Sequence, residues 1–141
     1  MITIDDYFKD PQTGRDRRKD YSKDFLPEYE QNAQILLNKV NAFLNELGIK
    51  DVRVSSGWRP PSINNGLQNA AKKSAHMIGK AVDLLDNSNQ DNGKLIASKP
   101  DLLRKYGLFL EDLGSTKGQF TNWTHLDYLD RADRPSRIFL P

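Results

Sequence analysis

The longest periodic pattern of apolar residues predicts an amphipathic helix from Pro27 to about Leu47. The apolar side chains recur at spacings of three and four, at Leu36, Val40, Phe43, Leu44 and Leu47. Proline suits the first turn of a helix, and the acidic residues Glu28 and Glu30 suit the helix dipole there. Gly48 is expected to end the helix, because glycine readily adopts the left-handed conformation common at helix C-termini. We expect this helix to pack its apolar face on a sheet.

Shorter apolar stretches predict the strands of that sheet. Residues 51–55 alternate apolar and polar side chains, as a strand with one buried face does. Three more strands are predicted, one through Asp83 and the others at 108–110 and 123–128. In the strand through Asp83, the small residues Gly79 and Ala81 lie on the same face as the carboxylate. They would leave room beside it.

Prolines and polar turns separate the remaining elements. We expect helices at 62–71 and at 95–106, the second interrupted by Pro100. Residues 2–8 predict a short element, helical or extended, that docks on the body, and residues 138–140 are expected to tuck onto it. The charged segment 9–20 is typical of a surface loop. Its basic residues, 15–19, would be solvated or would contact a polyanion.

Composition indicates one folded domain, and the mixture of predicted helices and strands indicates the α+β class. With 141 residues, of which 37% are hydrophobic and 28% charged, the chain is long enough to bury a core without cross-links. We therefore expect one domain over 1–141 with its core at about 27–128. The predicted architecture is a small, mainly antiparallel sheet with helices on one face and a functional cleft on the other.

Charge and residue usage exclude several classes of function. There is no cysteine, so a thiolate nucleophile and any Cys-ligated metal site are excluded. The net charge of +2 does not predict a nucleic-acid partner, and no apolar run predicts a membrane span. Residues 1–6 lack the pattern of a signal peptide, so we expect synthesis in the cytoplasm. We also expect a monomer.

The chain has two histidines, His76 and His125, and each is followed by an aspartate, Asp83 or Asp127. A catalytic zinc takes three protein ligands of this kind and keeps a fourth position open. If the strands through Asp83 and His125 are neighbours, they lie about 4.8 Å apart and can share one ion. His76 would close the third side. The sequence therefore predicts a metal site at His76, Asp83 and His125.

Each of these residues also has an ordinary structural reading. A single histidine is usually a surface residue or a hydrogen-bonded core residue. Arg59, where the strand at 51–55 runs into a loop, would by itself be read as the partner of a surface carboxylate. Asp83 is harder to explain in this way, because an unpaired carboxylate in an apolar strand is costly. Spacing alone leaves the metal and structural readings about equally supported.

Two motifs resemble those of the zinc D-alanyl-D-alanine carboxypeptidases and L-alanyl-D-glutamate endopeptidases. Ser-x-His-x-x-Gly-x-Ala-x-Asp occupies 74–83, and Trp-x-His follows at 123–125. Upstream, Ser-Gly-Trp-Arg-Pro at 56–60 is similar to the family's Ser-Gly-Tyr-Arg segment. The family includes the vancomycin-resistance dipeptidases and phage endolysins, and it shares its fold with the hedgehog signalling domain. The short chain looks most like the small phage-encoded members.

The resemblance implies a zinc peptidase that cleaves the stem peptide of peptidoglycan. It implies that His76, Asp83 and His125 hold Zn²⁺ in the cleft, and that Arg59 stabilises the oxyanion of the tetrahedral intermediate. Such an enzyme would act on the cell wall, released by a holin or carried in a virion. Exposed lysines such as Lys72 and Lys73 would meet the free carboxylates of stem peptides or serve only solubility.

One position departs from the family pattern. Many members carry a glutamate general base three residues before the second histidine, where this chain has Asn122, and asparagine cannot accept a proton. A subgroup carries Asn-aromatic-x-His-x-Asp, which the chain matches through Asp127. Asp127 is thus the first candidate for the base and Glu111 the second, although Asp127 would alternatively orient a metal ligand. A non-catalytic zinc protein, for example a virion or wall-binding component, is the alternative function.

Overall fold

The computed structural model describes residues 1–67 and 70–141. Within them, the α-helices are α1 (Ile4–Phe8), α2 (Arg17–Asp20), α3 (Pro27–Leu47), α4 (Pro61–Gly66), α5 (Asp91–Ala97) and α6 (Pro100–Lys105). The strands are β1 (Val54–Ser56), β2 (Ala81–Asp86), β3 (Phe109–Glu111), β4 (Asn122–Asp127) and β5 (Ile138–Phe139). Short 3₁₀ turns occupy Ala75–Ile78 and Leu113–Ser115.

The strands form one mixed sheet in the order β1-β2-β4-β3-β5. Three of its neighbouring pairs are antiparallel, and only β3 and β5 run parallel. The predicted α+β class with a mainly antiparallel sheet is confirmed. The order matters for function because it places β4 between β2 and β3, so side chains from three strands meet across one face.

Helix α3 covers the opposite face of this sheet. It begins at Pro27 and ends at Gly48, which adopts the left-handed conformation with φ 74°. Its buried side chains join residues of the sheet and of the later helices in one apolar core: Leu36, Val40, Phe43, Val82, Leu84, Ile96, Leu103, Leu110 and Leu126. The periodicity therefore predicted both the extent of α3 and its role, since the apolar stripe and the stop signal are local properties of the sequence.

The N-terminal segment is part of the core. Thr3 caps α1 in a reciprocal capping box with Asp6, and Tyr7 and Phe8 are fully buried. The Tyr7 hydroxyl donates to the carbonyl oxygen of Ala81 at 2.9 Å, which ties α1 to the start of β2. The buried core thus extends beyond the expected range of 27–128.

Several predicted boundaries differ from the structure. The helix expected at 62–71 is present only as α4, since it ends at Gly66, and residues 68 and 69 lie outside the described part of the chain. The first strand lies at Val54–Ser56 instead of 51–55. The helix expected at 95–106 occurs as α5 and α6, separated before Pro100 as predicted.

The charged segment 9–20 is an exposed loop, as predicted, only as far as residue 16. Its last four residues form α2, in which Arg17 is buried and donates to the carbonyl oxygen of Trp58 at 2.8 Å. Arg18 contacts three carboxylates, those of Asp5, Asp16 and Glu30. Both arginines therefore have structural roles. The sequence did not predict these roles, because most of the partners lie on elements that are distant in the chain.

Among the described helices, none is both long enough and apolar enough to cross a membrane.

Candidate metal centre

His76 lies in the 3₁₀ turn that leads into β2, and the segment 57–59 fixes this turn. The Gly57 carbonyl oxygen is 2.8 Å from His76 Nδ1, and the Arg59 backbone N–H donates to the His76 carbonyl oxygen at 3.1 Å. The buried indole of Trp58 donates to the carbonyl oxygen of Met77 at 2.9 Å. Since a carbonyl can only accept, Nδ1 of His76 carries the proton, and its Nε2 is left with a lone pair for a metal.

Gly79 ends this turn in a conformation that other residues adopt only with strain. Its φ is 80°, and an added Cβ would contact the carbonyl oxygen of Tyr29. The sequence predicted Gly79 on the strand face beside Asp83, and this prediction is wrong because β2 begins at Ala81. The glycine instead allows the turn to approach α3 closely.

Asp83 and His125 are directly opposite each other on the antiparallel strands β2 and β4. The Asp83 Oδ1 atom is 2.8 Å from His125 Nδ1 and 3.2 Å from His76 Nε2, and the two histidine nitrogens are 3.3 Å apart. The structure thus brings together the three residues that the sequence predicted, and all three are buried.

This donor set fits a zinc ion. Ligand atoms about 2.1 Å from a tetrahedral ion lie about 3.4 Å from one another, close to the three separations observed. Two imidazoles and one carboxylate are also the combination found in catalytic zinc sites, where a fourth position stays open. The side chains of Asp83 and His125 keep 12% and 10% of their surface exposed, so the cluster is reachable from one side.

The far nitrogen of His125 is bound by Asp127. Their Nε2 and Oδ2 atoms are 2.9 Å apart, and the Asp127 side chain is only 1% exposed. Asp127 also accepts from the Leu129 backbone N–H and from both terminal nitrogens of Arg131. With its oxygens committed in this way, Asp127 is placed to orient His125, which was one of the two roles the sequence left open.

The electrostatics of the cluster differ between the two histidines. Burial lowers the pKa of His76, although the nearby Asp83 opposes this effect. Burial also acts to lower the pKa of His125, but its hydrogen bonds with Asp127 and Asp83 outweigh burial and raise the pKa to about 10. The same histidines hold the pKa of Asp83 well below its usual range, against the effect of burial.

Glu111 ends β3, the strand on the other side of β4. The pairs Phe109–Asp127 and Leu110–Leu126 set the register that places Glu111 beside His125. Its Oε2 atom is 3.8 Å from His125 Nδ1, and its side chain is 16% exposed. Burial raises the pKa of this carboxyl, an effect that the His125 charge opposes. Glu111 therefore borders the cluster with a carboxylate that is accessible from outside.

Asn122 faces away from the cluster. It begins β4, and because side chains alternate along a strand, it lies on the face opposite His125. Its amide donates to the carbonyl oxygens of Asn87 and Ser88 in the turn after β2. The position at which many family members carry their base thus has a structural role in this chain.

Arg59 lies at the edge of the site. Its Nη2 atom donates to the Ser74 hydroxyl at 3.1 Å, and its buried Nε has no partner among the described residues. Burial lowers the pKa of this guanidinium, while the carboxylates of Asp83 and Glu111 act to raise it. The guanidinium is thus half-buried within electrostatic range of Asp83 and Glu111, and it is fixed by Ser74.

The structure adds residues to the site that sequence reasoning missed. Arg131 contacts Asp127, and its guanidinium carbon lies 3.6 Å from the centre of the Phe139 ring. The Phe139 ring in turn lies 5.7 Å from that of His125. The apolar run 138–140 predicted that the end of the chain packs on the body, but no local signal places Phe139 or Arg131 beside His125, because that position depends on the pairing of β5 with β3. The two lysines that the sequence suggested as contacts for stem-peptide carboxylates, Lys72 and Lys73, are exposed.

Comparison with known proteins agrees with the geometry. No curated protein matches the sequence. A family model described as Peptidase M15 matches residues 12–127, a range that contains the three candidate metal donors, Arg59 and Glu111. This range covers most of the chain and bears out the predicted resemblance, although it does not distinguish phage-encoded members. The chain belongs to the peptidase M15 family.

Proposed function

We propose that the protein is a zinc-dependent peptidase that hydrolyses a peptide bond in the stem peptide of peptidoglycan. The observation that carries the proposal is the convergence of His76, Asp83 and His125, with donor atoms 2.8–3.3 Å apart. Membership of a metallopeptidase family supports the reaction class. The partly open side of the cluster supports access by a substrate.

The three donors would hold the ion, and other side chains would act on the substrate. A bound zinc ion acidifies a water molecule and polarises a carbonyl group. Arg59 would act through the positive charge of its half-buried guanidinium on the substrate carbonyl oxygen as negative charge develops there. Its hydrogen bond to Ser74 and its backbone bond to His76 would keep the guanidinium in place during this change.

Glu111 is the best-placed general base. A base must reach the proton that it takes, and the Glu111 carboxylate is partly exposed beside the donor cluster. Asp127 is buried behind His125 and accepts hydrogen bonds on both oxygens. We therefore assign proton transfer to Glu111 and the orientation of His125 to Asp127.

The substrate class follows from the family and from the surface near the site. Membership of the peptidase M15 family suggests that the substrate resembles peptidoglycan. Stem peptides carry free carboxylates, and the exposed Lys72 and Lys73 precede the histidine turn directly in sequence. Action on the wall would require the protein to reach it, which we propose occurs through a holin or a virion, as for small phage-encoded members.

Digestion of purified peptidoglycan tests this function. The zinc-loaded protein should release new amino groups from the wall, and the fragments should identify the bond by mass. A chelator and the substitution His125→Ala should each abolish the release, since both remove the metal. Leu85→Ala is a matched control, because Leu85 is exposed on the same sheet yet is not a metal donor.

A wild-type protein that binds one zinc ion and releases nothing from walls of several hosts would overturn the proposal. It would support the alternative, a non-catalytic wall-binding or virion protein. The position of Asn122, which leaves the site without the usual family glutamate, is the observation that favours this second function.

A further inference from the structure

We propose that Arg131 is a positioning residue for the metal site, and that it acts through Asp127 to present Nδ1 of His125 to the metal. The inference rests on the metal binding of the proposed function, but not on the peptide hydrolysis. Arg131 lies beyond the range 12–127 that the family model matches.

The first step is the clamp on Asp127. Its Oδ1 accepts from the Leu129 backbone N–H and from Arg131 Nη1, and its Oδ2 accepts from Arg131 Nη2 and lies 2.9 Å from His125 Nε2. A carboxylate free to rotate could present either oxygen in many directions. The paired contact with a planar guanidinium fixes its plane, and hence the direction in which it meets the imidazole.

The second step is the anchoring of Arg131 itself. Its guanidinium lies 3.6 Å from the centre of the Phe139 ring and 5.3 Å from that of Phe109. Phe139 is on β5 and Phe109 is on β3, so the sheet holds the arginine from two strands. Stacking of this kind restricts a long side chain that would otherwise sample many rotamers.

The consequence concerns the tautomer of His125. Because Asp127 holds Nε2, the proton of the neutral ring stays on that nitrogen and the lone pair of Nδ1 faces Asp83 and His76. In His76 the opposite nitrogen is free, because Gly57 accepts from Nδ1. The two histidines would therefore bind the metal through different ring nitrogens.

Metal affinity of the full chain tests the role of Arg131. Zinc should be titrated against a chromophoric chelator, and cobalt should be followed by its visible absorption. Substitution of residues that orient a metal ligand typically costs about 10–100-fold in metal affinity. We expect Arg131→Ala to fall in this range and to alter the cobalt spectrum, and Arg131→Lys, which keeps the charge, to recover part of the loss.

Arg137→Ala is the matched control. Arg137 also stacks on Phe109, at 3.7 Å, and contacts Asp133 and the Leu108 carbonyl oxygen, but it makes no contact with Asp127 within the described residues. Its loss should lower the melting temperature of the metal-free protein, as the loss of Arg131 should, yet leave zinc affinity within about twofold. A purely structural Arg131 would give the two variants the same profile.

The wild-type protein provides a test that does not depend on any variant folding. Long-range ¹H–¹⁵N correlation spectra of the zinc-loaded protein distinguish metal-bound from protonated ring nitrogens. We expect Nδ1 to bind in His125 and Nε2 in His76. Binding of His125 through Nε2, or unchanged affinity in Arg131→Ala, would overturn this inference. Failure of the wild type to bind zinc would instead overturn the proposed function.

Discussion

The carboxylates around the metal donors differ in how many hydrogen bonds they already accept. Asp127 accepts from a backbone N–H and from both terminal nitrogens of an arginine, whereas the Glu111 carboxylate accepts no hydrogen bond from the described residues and lies 3.8 Å from His125 Nδ1. A carboxylate fixed by several donors has its charge stabilised and its geometry set. One with a free oxygen can exchange a proton with a substrate or with water.

Substitution of Glu111 by glutamine should therefore affect catalysis and not metal binding. The amide keeps the shape of the side chain but cannot accept a proton. Loss of general-base catalysis typically costs about 10²–10⁴-fold in rate. We expect kcat on a stem-peptide substrate to fall within this range, with zinc content unchanged by elemental analysis.

Asp127→Asn provides the contrast, since it should weaken zinc binding. If Glu111→Gln retains full activity while Asp127→Asn loses activity with its zinc still bound, the assignment of the base is reversed. Both variants should be compared at saturating zinc.

The convergence of the three candidate metal donors could be predicted from sequence, but the contacts that support them could not. His76, Asp83 and His125 have fixed spacings within two short motifs, and the pairing of two neighbouring strands is enough to bring them together. Arg131 is only four residues from Asp127, but the Phe139 ring on which it packs is brought there by β5, and the position of Glu111 depends on the register between β3 and β4. Such contacts depend on tertiary structure, so local patterns carry no signal for them.

At the scale of elements, the turn at Ala75–Ile78 determines where His76 lies. It is short, and its geometry depends on the hydrogen bonds from residues 57–59 and on the left-handed Gly79 that ends it. The close contact of Gly79 with Tyr29 also sets the distance between this turn and α3.

Gly79→Ala should destabilise the protein more than a comparable substitution in open space. A left-handed residue other than glycine costs roughly 1–2 kcal/mol, and overpacking typically adds about 1–3 kcal/mol. We expect the free energy of unfolding to fall by the sum of these effects, as measured by urea denaturation, together with weaker zinc binding as His76 moves.

Gly48→Ala is the control for Gly79→Ala. Gly48 has a similar φ of 74° and ends α3, but an added Cβ there meets nothing within 4 Å. In Gly48→Ala the free energy of unfolding should therefore fall only by the cost of placing alanine in the left-handed conformation. Equal losses for the two variants would mean that the contact with Tyr29 has no energetic effect.

Elements governed by local signals were predicted well, and those governed by partners were not. Helix α3 has its stripe, its proline and its terminal glycine in one continuous segment. Segment 9–20 has no apolar periodicity, and α2, which Asp16 caps, is held by the partners of Arg17 and Arg18 at Trp58, Asp5 and Glu30. Sequence alone could not distinguish buried arginines from solvated ones.

At the scale of the whole molecule, segments from both ends of the chain meet at the central strands. Tyr7 reaches the Ala81 carbonyl oxygen from the N-terminal side, and β5 pairs with β3 from the C-terminal side. The site therefore depends on contacts between residues far apart in sequence.

Tyr7→Phe should lower stability without changing the shape of the core. It removes one buried hydroxyl and leaves the Ala81 carbonyl oxygen without that donor. An unsatisfied buried acceptor costs about 1–3 kcal/mol. We expect a decrease of this size in the free energy of unfolding, and Tyr21→Phe, at a partly exposed position, should have little effect. A stability equal to that of the wild type would show that this bond does not hold α1 to the sheet.

The return of the C-terminal segment to β3 also bears on biosynthesis. A nascent chain that has reached residue 127 already contains every proposed metal donor, but it lacks the guanidinium of Arg131 and the ring of Phe139. Capture of the ion at full affinity would thus follow translation of residues 131–139 and their docking on the sheet. An incomplete translation product would hold zinc poorly, so hydrolytic activity would arise only in chains that have been synthesised through β5.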